Sequence, residues 1–301
     1  MHDTPKPRTG GLAILTAIII GLFLFQQYLD NRILSILPYA LLVISIAFMD
    51  DIVTVSPLIR FISQITVALL YTLNGLALDS LSLPGLEISI HPIIGIPLSV
   101  LFFVWIVNLY NFMDGMDGLS SGMAVIGFST FALMAYTKGD LSFALINLVL
   151  VASALGFLVF NLPPSKIFLG DVGSSLFGVL LALFILWADS NEIFPAWLGV
   201  LVFLPFILDS TLTLGKRVLR GEKFWQPHCS HYYQRIVKMG FGHKKTLIFE
   251  YTWMIISSLV SIVLFQMENI TMQVSLGVIF VTLSIVTLMY IDKIRPENIN
   301  N

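Results

Sequence analysis

Ten apolar stretches, each close to the length of a membrane-crossing helix, take up most of this sequence and constrain its fold more than any other feature. A helix that crosses the hydrocarbon core of a bilayer needs about 20 mostly apolar residues. The stretches are 10–29, 33–49, 57–78, 93–113, 119–137, 141–160, 173–188, 194–214, 246–266 and 271–291. We therefore predict an all-α integral membrane protein with about ten transmembrane helices, forming a single polytopic domain over residues 1–301.

The composition excludes several other classes of protein. Charged residues make up 11% of the 301 residues, whereas a soluble domain holds about 25%. A soluble enzyme, a disordered protein and a nucleic-acid binder that works by bulk charge are therefore ruled out. Cys229 is the single cysteine, which excludes a disulfide framework and a multi-cysteine metal site.

The lysines and arginines set the expected orientation. With the N-terminus in the cytoplasm, only Arg32 and Lys138 fall on the outer side, and the other 14 of the 16 fall on cytoplasmic segments or span ends, as the positive-inside rule requires. The longest outer connection, 79–92, alternates around Pro84-Gly85 and predicts a small periplasmic hairpin. A long loop at 215–245 and nearly all the unusual polar residues lie on the cytoplasmic side, so we expect the chemistry there.

Two adjacent carboxylates, Asp50 and Asp51, follow the second apolar stretch. Carboxylates are costly near lipid, and a pair of them can bind a cation or act in base chemistry. A plain interfacial cap of the helix is the alternative.

The fourth stretch runs into a polar segment in which amides and carboxylates recur every three residues: Asn108, Asn111, Asp114 and Asp117. On a helix of 3.6 residues per turn, Asn111 and Asp114 share a face, and Asp117 joins them only if the helix ends. Gly115 and Gly118 make that ending plausible. The oxygens suit a hard cation or the hydroxyl groups of a ligand, and local turns at a helix end are the alternative.

A third segment, NLPPSKIFLGDVGSSLFG, begins at Asn161. Lys166 supplies a charge for phosphate, and the glycines on both sides of Asp171 open the next helix, whose N-terminus attracts anions. The alternative is an aspartate cap with flanking glycines.

The 215–245 loop contains His228, His231 and Arg235. A helix that begins at Pro227 would place these three side chains along one face, as cationic contacts for a phosphate oxyanion. The alternative is a basic loop that touches anionic lipid headgroups. His243 has the character of an ordinary loop residue.

Together, these segments place carboxylates for a divalent cation, an anion-binding loop and a His/Arg group on one side of the membrane, which is the equipment of phosphoryl transfer. A polytopic secondary transporter is the alternative from another class. Transporters, however, place polar residues near the bilayer midplane, often in inverted repeats, and no repeat is visible here.

The same residues carry a resemblance to a known family. The chain resembles the polyprenyl-phosphate N-acetylhexosamine-1-phosphate transferases, the membrane glycosyltransferases that include MraY, WecA and TagO, over essentially its whole length. The matching motifs are PRTGG at 7–11, MDD at 49–51, NLYNFMDGMDGLSSG at 108–122, NLPPSKIFLGDVGSSLFG at 161–178 and HCSH at 228–231.

The resemblance implies a reaction in which undecaprenyl or another polyprenyl phosphate attacks the sugar-linked phosphate of a UDP-N-acetyl-amino sugar, and UMP leaves. It implies Mg²⁺ as cofactor, with Mn²⁺ as a substitute, held at Asp171 and Asn111. By the same resemblance, Asp50 and Asp51 serve the acceptor phosphate or the metal. The family's nucleotide-sugar and histidine positions fall on the following residues: Asp114, Asp117, Asn161, His228 and His231.

Further expectations follow from the resemblance. The family usually has eleven helices, and the one before PRTGG is missing here. HCSH resembles the branch that starts O-antigen, a lipopolysaccharide component, with a deoxy-amino sugar. The resemblance implies a bacterial inner-membrane enzyme with a cytoplasmic active site, with the UDP-sugar, the lipid and the membrane as partners and no nucleic acid. It is compatible with a homodimer.

Overall fold

The computed structural model describes residues 6–222 and 228–294, and helices account for most of them. Thirteen α-helices and two strands occur in these ranges. The first part of the chain forms α1 (Gly10–Phe25), α2 (Asn31–Ile36), α3 (Ala40–Ile52), α4 (Pro57–Leu73), β1 (Ser80–Leu83), β2 (Leu86–Ser89) and α5 (Pro92–Phe112). The second part forms α6 (Leu119–Lys138), α7 (Leu141–Asn161), α8 (Gly170–Ser190), α9 (Ala196–Val202), α10 (Leu204–Leu219), α11 (Tyr232–Ile236), α12 (Gly242–Gln266) and α13 (Ile270–Ile294).

The predicted all-α membrane architecture is confirmed. Eight helical segments in the described ranges are long and apolar enough to cross a membrane, with α2 and α3 counting as one continuous segment. A ninth is the pair α9 and α10, which bends by 83° at a break around Phe203, where Pro205 starts the second helix. The remaining predicted stretch, 57–78, corresponds to the shorter apolar helix α4.

Helix α8 lies at the centre of the bundle, and all its residues from Val172 to Ala188 are buried. Helices α1, α3 and α5 pack around it. The crossing with α1 is very close, because a Cβ added at Gly11 would lie 2.2 Å from the backbone nitrogen of Gly173. Gly178 gives α5 a similar approach, at 2.9 Å from the Cα of Val107. This close packing fixes the N-terminus of α8, which carries Asp171.

The two strands form the predicted small hairpin. β1 and β2 pair antiparallel, with Ser80 opposite Ser89 and Leu83 opposite Leu86, so that Pro84 and Gly85 make the turn. Gly85 has a positive φ of 73°, a conformation that glycine adopts without steric cost. The hairpin precedes α5, whereas the polar motif follows α5, so the two lie at opposite ends of that helix. We call the end that carries Asp51, Asp114 and Asp171 the motif end.

Candidate active site

The turn between α5 and α6 places the amides and carboxylates of the fourth segment. Helix α5 ends at Phe112, and Gly118 starts α6 from a left-handed conformation, with φ of 80°. The predicted helix ending is therefore present, and Asp114 and Asp117 lie on the turn. Asn108 is still inside α5, where its amide nitrogen donates to Gln64 Oε1 at 2.7 Å.

Two of the predicted site residues join this turn to the loop before α8. Asp117 accepts hydrogen bonds from the backbone nitrogen and the hydroxyl of Ser165, both at 2.9 Å. The side-chain oxygen of Asn161 accepts from Gly118 N at 2.9 Å, and its nitrogen donates to Ile167 O at 3.0 Å. Both side chains are nearly buried. They position the two loops against each other, and their contacts to a substrate stay predictions.

The adjacent aspartates at the end of α3 have different partners. Asp50 accepts from Arg60 NH1 at 2.8 Å and from Val55 N at 2.7 Å. Asp51 reaches the start of α8 and accepts from the backbone nitrogens of Asp171 and Val172, each at 3.3 Å. The carboxylate of Asp51 therefore binds to the N-terminus of α8, a position at which negative charge is favoured.

Gly170 makes this junction between α3 and α8 possible. It has φ of 75°, and a Cβ there would lie 2.8 Å from Arg8 O and 3.0 Å from Asp51 Oδ2. The segment that contains Arg8 runs alongside, since Phe168 N donates to Pro7 O at 2.9 Å and Gly10 N donates to Phe168 O at 3.1 Å. The PRTGG and LGD motifs are thus neighbours in space.

Asn111 is joined to the start of α8 by Ser174, whose hydroxyl donates to Asn111 Oδ1, and Asn111 and Asp171 line the same cavity. Arg60 NH1 lies 4.0 Å from a carboxylate oxygen of Asp171. No group of three or more His, Cys, Asp or Glu side chains that could hold a metal occurs within residues 6–222 and 228–294. Mg²⁺ is commonly held by one or two carboxylates together with substrate phosphates and water, so this donor set suits Mg²⁺ with a phosphate ligand.

An apolar cavity of about 620 Å³ lies on one side of Asp171. Helices α3, α4 and α5 supply most of its wall, which is largely aliphatic and aromatic. Its polar members include Arg60, Asn108, Asn111 and Asp171.

Asp171 also lines a smaller, more polar cavity of about 320 Å³. Its wall is formed by the following residues: Arg8, Asp114, Gly115, Met116, Asp117, Asn161, Phe168, Leu169, Gly170, Asp171 and His243. Loss of hydration raises the pKa of Asp114 to about 8, and the charges of Asp171 and Asp51 raise it further against the lowering effect of a Ser120 hydrogen bond. Asp171 lines both cavities, which therefore meet at this residue.

The 215–245 loop differs from the prediction. Helix α10 continues to Leu219 and α12 begins at Gly242, so much of the predicted loop is helical. Pro227, the predicted start of a helix, lies outside the described residues. Residues 228–230 are not helical and α11 begins at Tyr232, so His228 does not share a helix face with Arg235. The prediction was wrong because the capping residue is His231 rather than a residue before His228.

His231 is buried and held by Asp209 of α10. Its Nδ1 lies 3.0 Å from Asp209 Oδ1, and the two oxygens of Asp209 also accept from the backbone nitrogens of Tyr232 and Tyr233 at 3.0 Å. The ring stacks near Phe112 at a centroid distance of 5.9 Å. His231 therefore lies beside the end of α5, and His228 is next to it, with ring centroids 4.9 Å apart.

Arg235 and Lys166 do not line either cavity. Arg235 is 5% exposed and donates to Asp292 Oδ1 of α13 at 2.7 Å. Asp292 also accepts from Lys216 and from the Tyr232 hydroxyl. Arg235 thus fastens α11 to α13, which corrects the expectation that its guanidinium faces a phosphate. Lys166 is exposed.

Comparison with known proteins agrees with this geometry. The profile of Glycosyl transferase family 4 matches residues 33–189, slightly more than half of the chain. The chain belongs to this family. The matched part of this family member contains Asp50, Asp51, Asp114, Asp117 and Asp171, and therefore all the carboxylates around the two cavities.

Several relatives of this family 4 chain have names that describe an activity. A probable undecaprenyl-phosphate N-acetylglucosaminyl 1-phosphate transferase of Bacillus subtilis is 33% identical, over 93% of this chain and 78% of the relative. A decaprenyl-phosphate N-acetylglucosaminephosphotransferase of Mycobacterium leprae is 31% identical, over 94% and 79%. A phospho-N-acetylmuramoyl-pentapeptide-transferase of Staphylococcus saprophyticus is 29% identical, over 87% and 86%. The transporter alternative has no support among these relatives.

Three residues that the structure places in or next to this site were not identified from the sequence: Asp209, Asp292 and His243. Asp209 and Asp292 gave only the signal of a carboxylate in an apolar helix, and the partners that tie them to α11 are far away in sequence. His243 follows Gly240 and Gly242, both with positive φ, and this glycine pair was the available signal for a turn that delivers a side chain to a site.

Proposed function

We propose that the chain transfers an N-acetyl-amino-sugar 1-phosphate from a UDP-sugar to a polyprenyl phosphate and releases UMP. An oxygen of the lipid phosphate attacks the sugar-linked phosphorus of the donor. The bond from that phosphorus to the bridging oxygen breaks, and the electron pair leaves with UMP. The names of the relatives support the class of donor and of acceptor.

The observation that carries this proposal is the meeting of an apolar and a polar cavity at Asp171. The apolar cavity suits the isoprenoid chain of the acceptor, and Arg60, in its wall and 4.0 Å from Asp171, is the cationic contact for the acceptor phosphate. The polar cavity suits a nucleotide, because it presents carboxylate and amide oxygens to hydroxyl and N–H groups. Such an arrangement brings the two phosphates together, and proximity of this kind is a large part of phosphoryl-transfer catalysis.

We propose that Mg²⁺ is required, with Asp171 and Asn111 as its protein ligands. The ion would neutralise charge on the diphosphate and stabilise the leaving group. The chain's own contribution is to position these oxygens, through Asp51 at the start of α8 and Ser174 on Asn111. A phosphate monoester has a second pKa of about 6, so the acceptor is mostly a dianion at pH 7 and needs little help from a base.

The test is an assay of UMP release from UDP-N-acetyl sugars by membranes that carry the protein, with and without added polyprenyl phosphate. We expect release that depends on the lipid and that stops on addition of EDTA. Asp79→Asn, the same substitution on an exposed residue next to the hairpin, is the control for Asp171→Asn. Lipid-independent release, or none with any UDP-sugar, would refute the proposal.

We propose further that the protein lies in the bacterial inner membrane with its motif end in the cytoplasm. The excess of Lys and Arg on that side supports the orientation. Cysteine-accessibility labelling tests it on the protein as it exists, because Cys229 is exposed and lies in the loop at the motif end. Labelling of intact cells by a membrane-impermeant maleimide would contradict the orientation.

Two more specific proposals concern the identity of the sugar and the pathway in which the enzyme acts. We propose a deoxy-amino sugar and a role in O-antigen initiation, on the resemblance of HCSHYYQR to that branch. Competition between UDP-GlcNAc and its 6-deoxy relatives is the direct test, and it is argued below.

A further inference from the structure

His243 occupies an unusual place in the polar cavity. It lies in the first turn of α12 and lines the same cavity as Asp114 and Asp171. Its Nδ1 is buried and has no hydrogen-bond partner in the part of the chain that the structure describes. A buried polar atom without a partner costs about 1–3 kcal/mol.

The contrast with His231 is informative. The ring of His231 is held by Asp209 through Nδ1 and serves to cap α11. No such bond holds the Nδ1 of His243 within the described residues, so the hydrogen-bonding capacity of this nitrogen is left for a ligand of the cavity.

The charge of the cavity indicates what the ligand is. Three carboxylates line it, and Arg8 and His243 are the basic side chains among its described lining residues. A nucleoside diphosphate in this cavity carries several negative charges, which repel the carboxylates. It therefore needs cationic or N–H contacts from the wall in addition to any bound cation.

We propose that His243 is a binding residue for the phosphate of the nucleotide, the part that leaves as UMP. This inference rests on the proposed function and adds a specific contact to it. The imidazole donates a hydrogen bond to a phosphate oxygen and leaves the reacting phosphorus to the groups around Asp171. His243 thus strengthens the binding of donor and product without contact with the acceptor lipid.

The experiment uses the full chain, purified in detergent, and measures the binding of UMP and of uridine by calorimetry, together with KM for the UDP-sugar and for polyprenyl phosphate. His243→Ala removes the contact, and His243→Gln keeps an N–H donor of similar reach. Lys244→Ala is the matched control, because Lys244 is the next residue on the same helix turn and is exposed.

We expect His243→Ala to weaken UMP binding and to raise KM for the UDP-sugar by about 10-fold or more, the usual effect of losing a hydrogen bond to a charged group. His243→Gln should lie between the wild type and His243→Ala. KM for the lipid and the affinity for uridine should not change.

Two results would overturn the inference while the proposed function stands. The first is that His243→Ala turns over at the wild-type rate and binds UMP as tightly as Lys244→Ala does. The second is that His243→Ala loses affinity for uridine and for UMP to the same extent. If the wild type itself releases no UMP from any UDP-sugar, the proposed function fails instead.

Discussion

At the scale of single residues, neighbouring side chains have different roles. Asp50 pairs with Arg60, whereas Asp51 accepts two backbone N–H groups of α8. The sequence motifs predicted that Asp50 and Asp51 would both lie at the site. They could not predict the division between the two aspartates, because their partners are 10 and 120 residues away.

The strongest single-residue effect is expected at Asp171, where the cavities meet. Asp171→Asn should lower turnover by on the order of 10³-fold or more, since a carboxylate that holds a cation against the diphosphate contributes several kcal/mol to catalysis. The UMP-release assay on membranes with equal protein content measures this. More than a tenth of wild-type activity would contradict the assignment.

Asp51 is expected to contribute to activity by holding the start of α8 in place. Asp51→Asn should depress turnover with every UDP-sugar alike, and to the same extent at pH 7 and pH 9, because it removes a charge that anchors the start of α8. Rate measurements at the two pH values check this. Recovery of activity at pH 9 would instead favour a role as general base.

The raised pKa of Asp114 predicts that the stability of the protein depends on pH. Its carboxyl ionises at a pKa of about 8 in the folded protein and about 3.9 in an unfolded chain, so the folded state holds a proton that the unfolded state releases. The free energy of unfolding should therefore fall as the pH rises from about 4 to about 8 and be level above that. Thermal unfolding in detergent with EDTA at pH 6 to 9 measures the slope, and Asp114→Asn should flatten it. An unchanged slope in that variant would assign the effect to other groups.

At the scale of elements, the short helix α11 depends on carboxylates from two long helices. Asp209 of α10 binds its N-terminus, and Asp292 of α13 binds Tyr232 and Arg235. The loop sequence indicated a His/Arg cluster but gave the wrong start for the helix. The capping groups come from other elements, and their positions follow from tertiary packing.

Asp209→Ala should loosen α11. Loss of the hydrogen bonds that satisfy the first N–H groups of a helix typically costs about 0.5–2 kcal/mol, and the buried imidazole of His231 also loses its partner. We expect turnover to fall by about 10-fold or more and trypsin to cleave faster after Arg235 and Lys238. Asp140→Ala, which removes the N-cap of α7, is the matched control and should leave cleavage at those two sites unchanged. Equal cleavage in the two variants would argue against this role of Asp209.

The crossing of α1 and α8 should tolerate no added methyl group. Gly11→Ala would bring a Cβ within 2.2 Å of the α8 backbone, whereas nothing lies within 4 Å of a Cβ at Gly156. Overpacking of a tight contact costs about 1–3 kcal/mol. We expect a lower melting temperature and lower activity for Gly11→Ala, and little change for Gly156→Ala. Similar melting temperatures for the two variants would refute this.

At the scale of the whole molecule, the sequence was sufficient for the class of fold. Apolar length is a local property, and it located all ten helical regions. It could not show the 83° bend at Phe203 or the two cavities, which arise from packing between distant segments. The carboxylate motifs were identified from the chain alone, whereas the contributions of Asp209, Asp292 and His243 required the structure.

Sugar choice is a property of the assembled site. A pocket that contacts a 6-deoxy sugar through its methyl group discriminates against one extra hydroxyl by only about 10–200-fold. We therefore expect UDP-QuiNAc or UDP-FucNAc to be preferred, with UDP-GlcNAc as a slower substrate, in a competition assay. Equal or greater turnover of UDP-GlcNAc would refute the deoxy-sugar assignment and leave the transferase proposal intact.

The meeting of two unlike cavities at Asp171 has a consequence for kinetics. The polyprenyl phosphate diffuses in the plane of the membrane, whereas the UDP-sugar diffuses in the aqueous phase. Their concentrations are therefore expressed in different units. The rate should follow the mole fraction of polyprenyl phosphate within the micelle or bilayer, and the molarity of the UDP-sugar in the water. Adding inert phospholipid at fixed amounts of both substrates should slow the enzyme by surface dilution, and UMP should diffuse away while the glycolipid stays in the sheet where it was made.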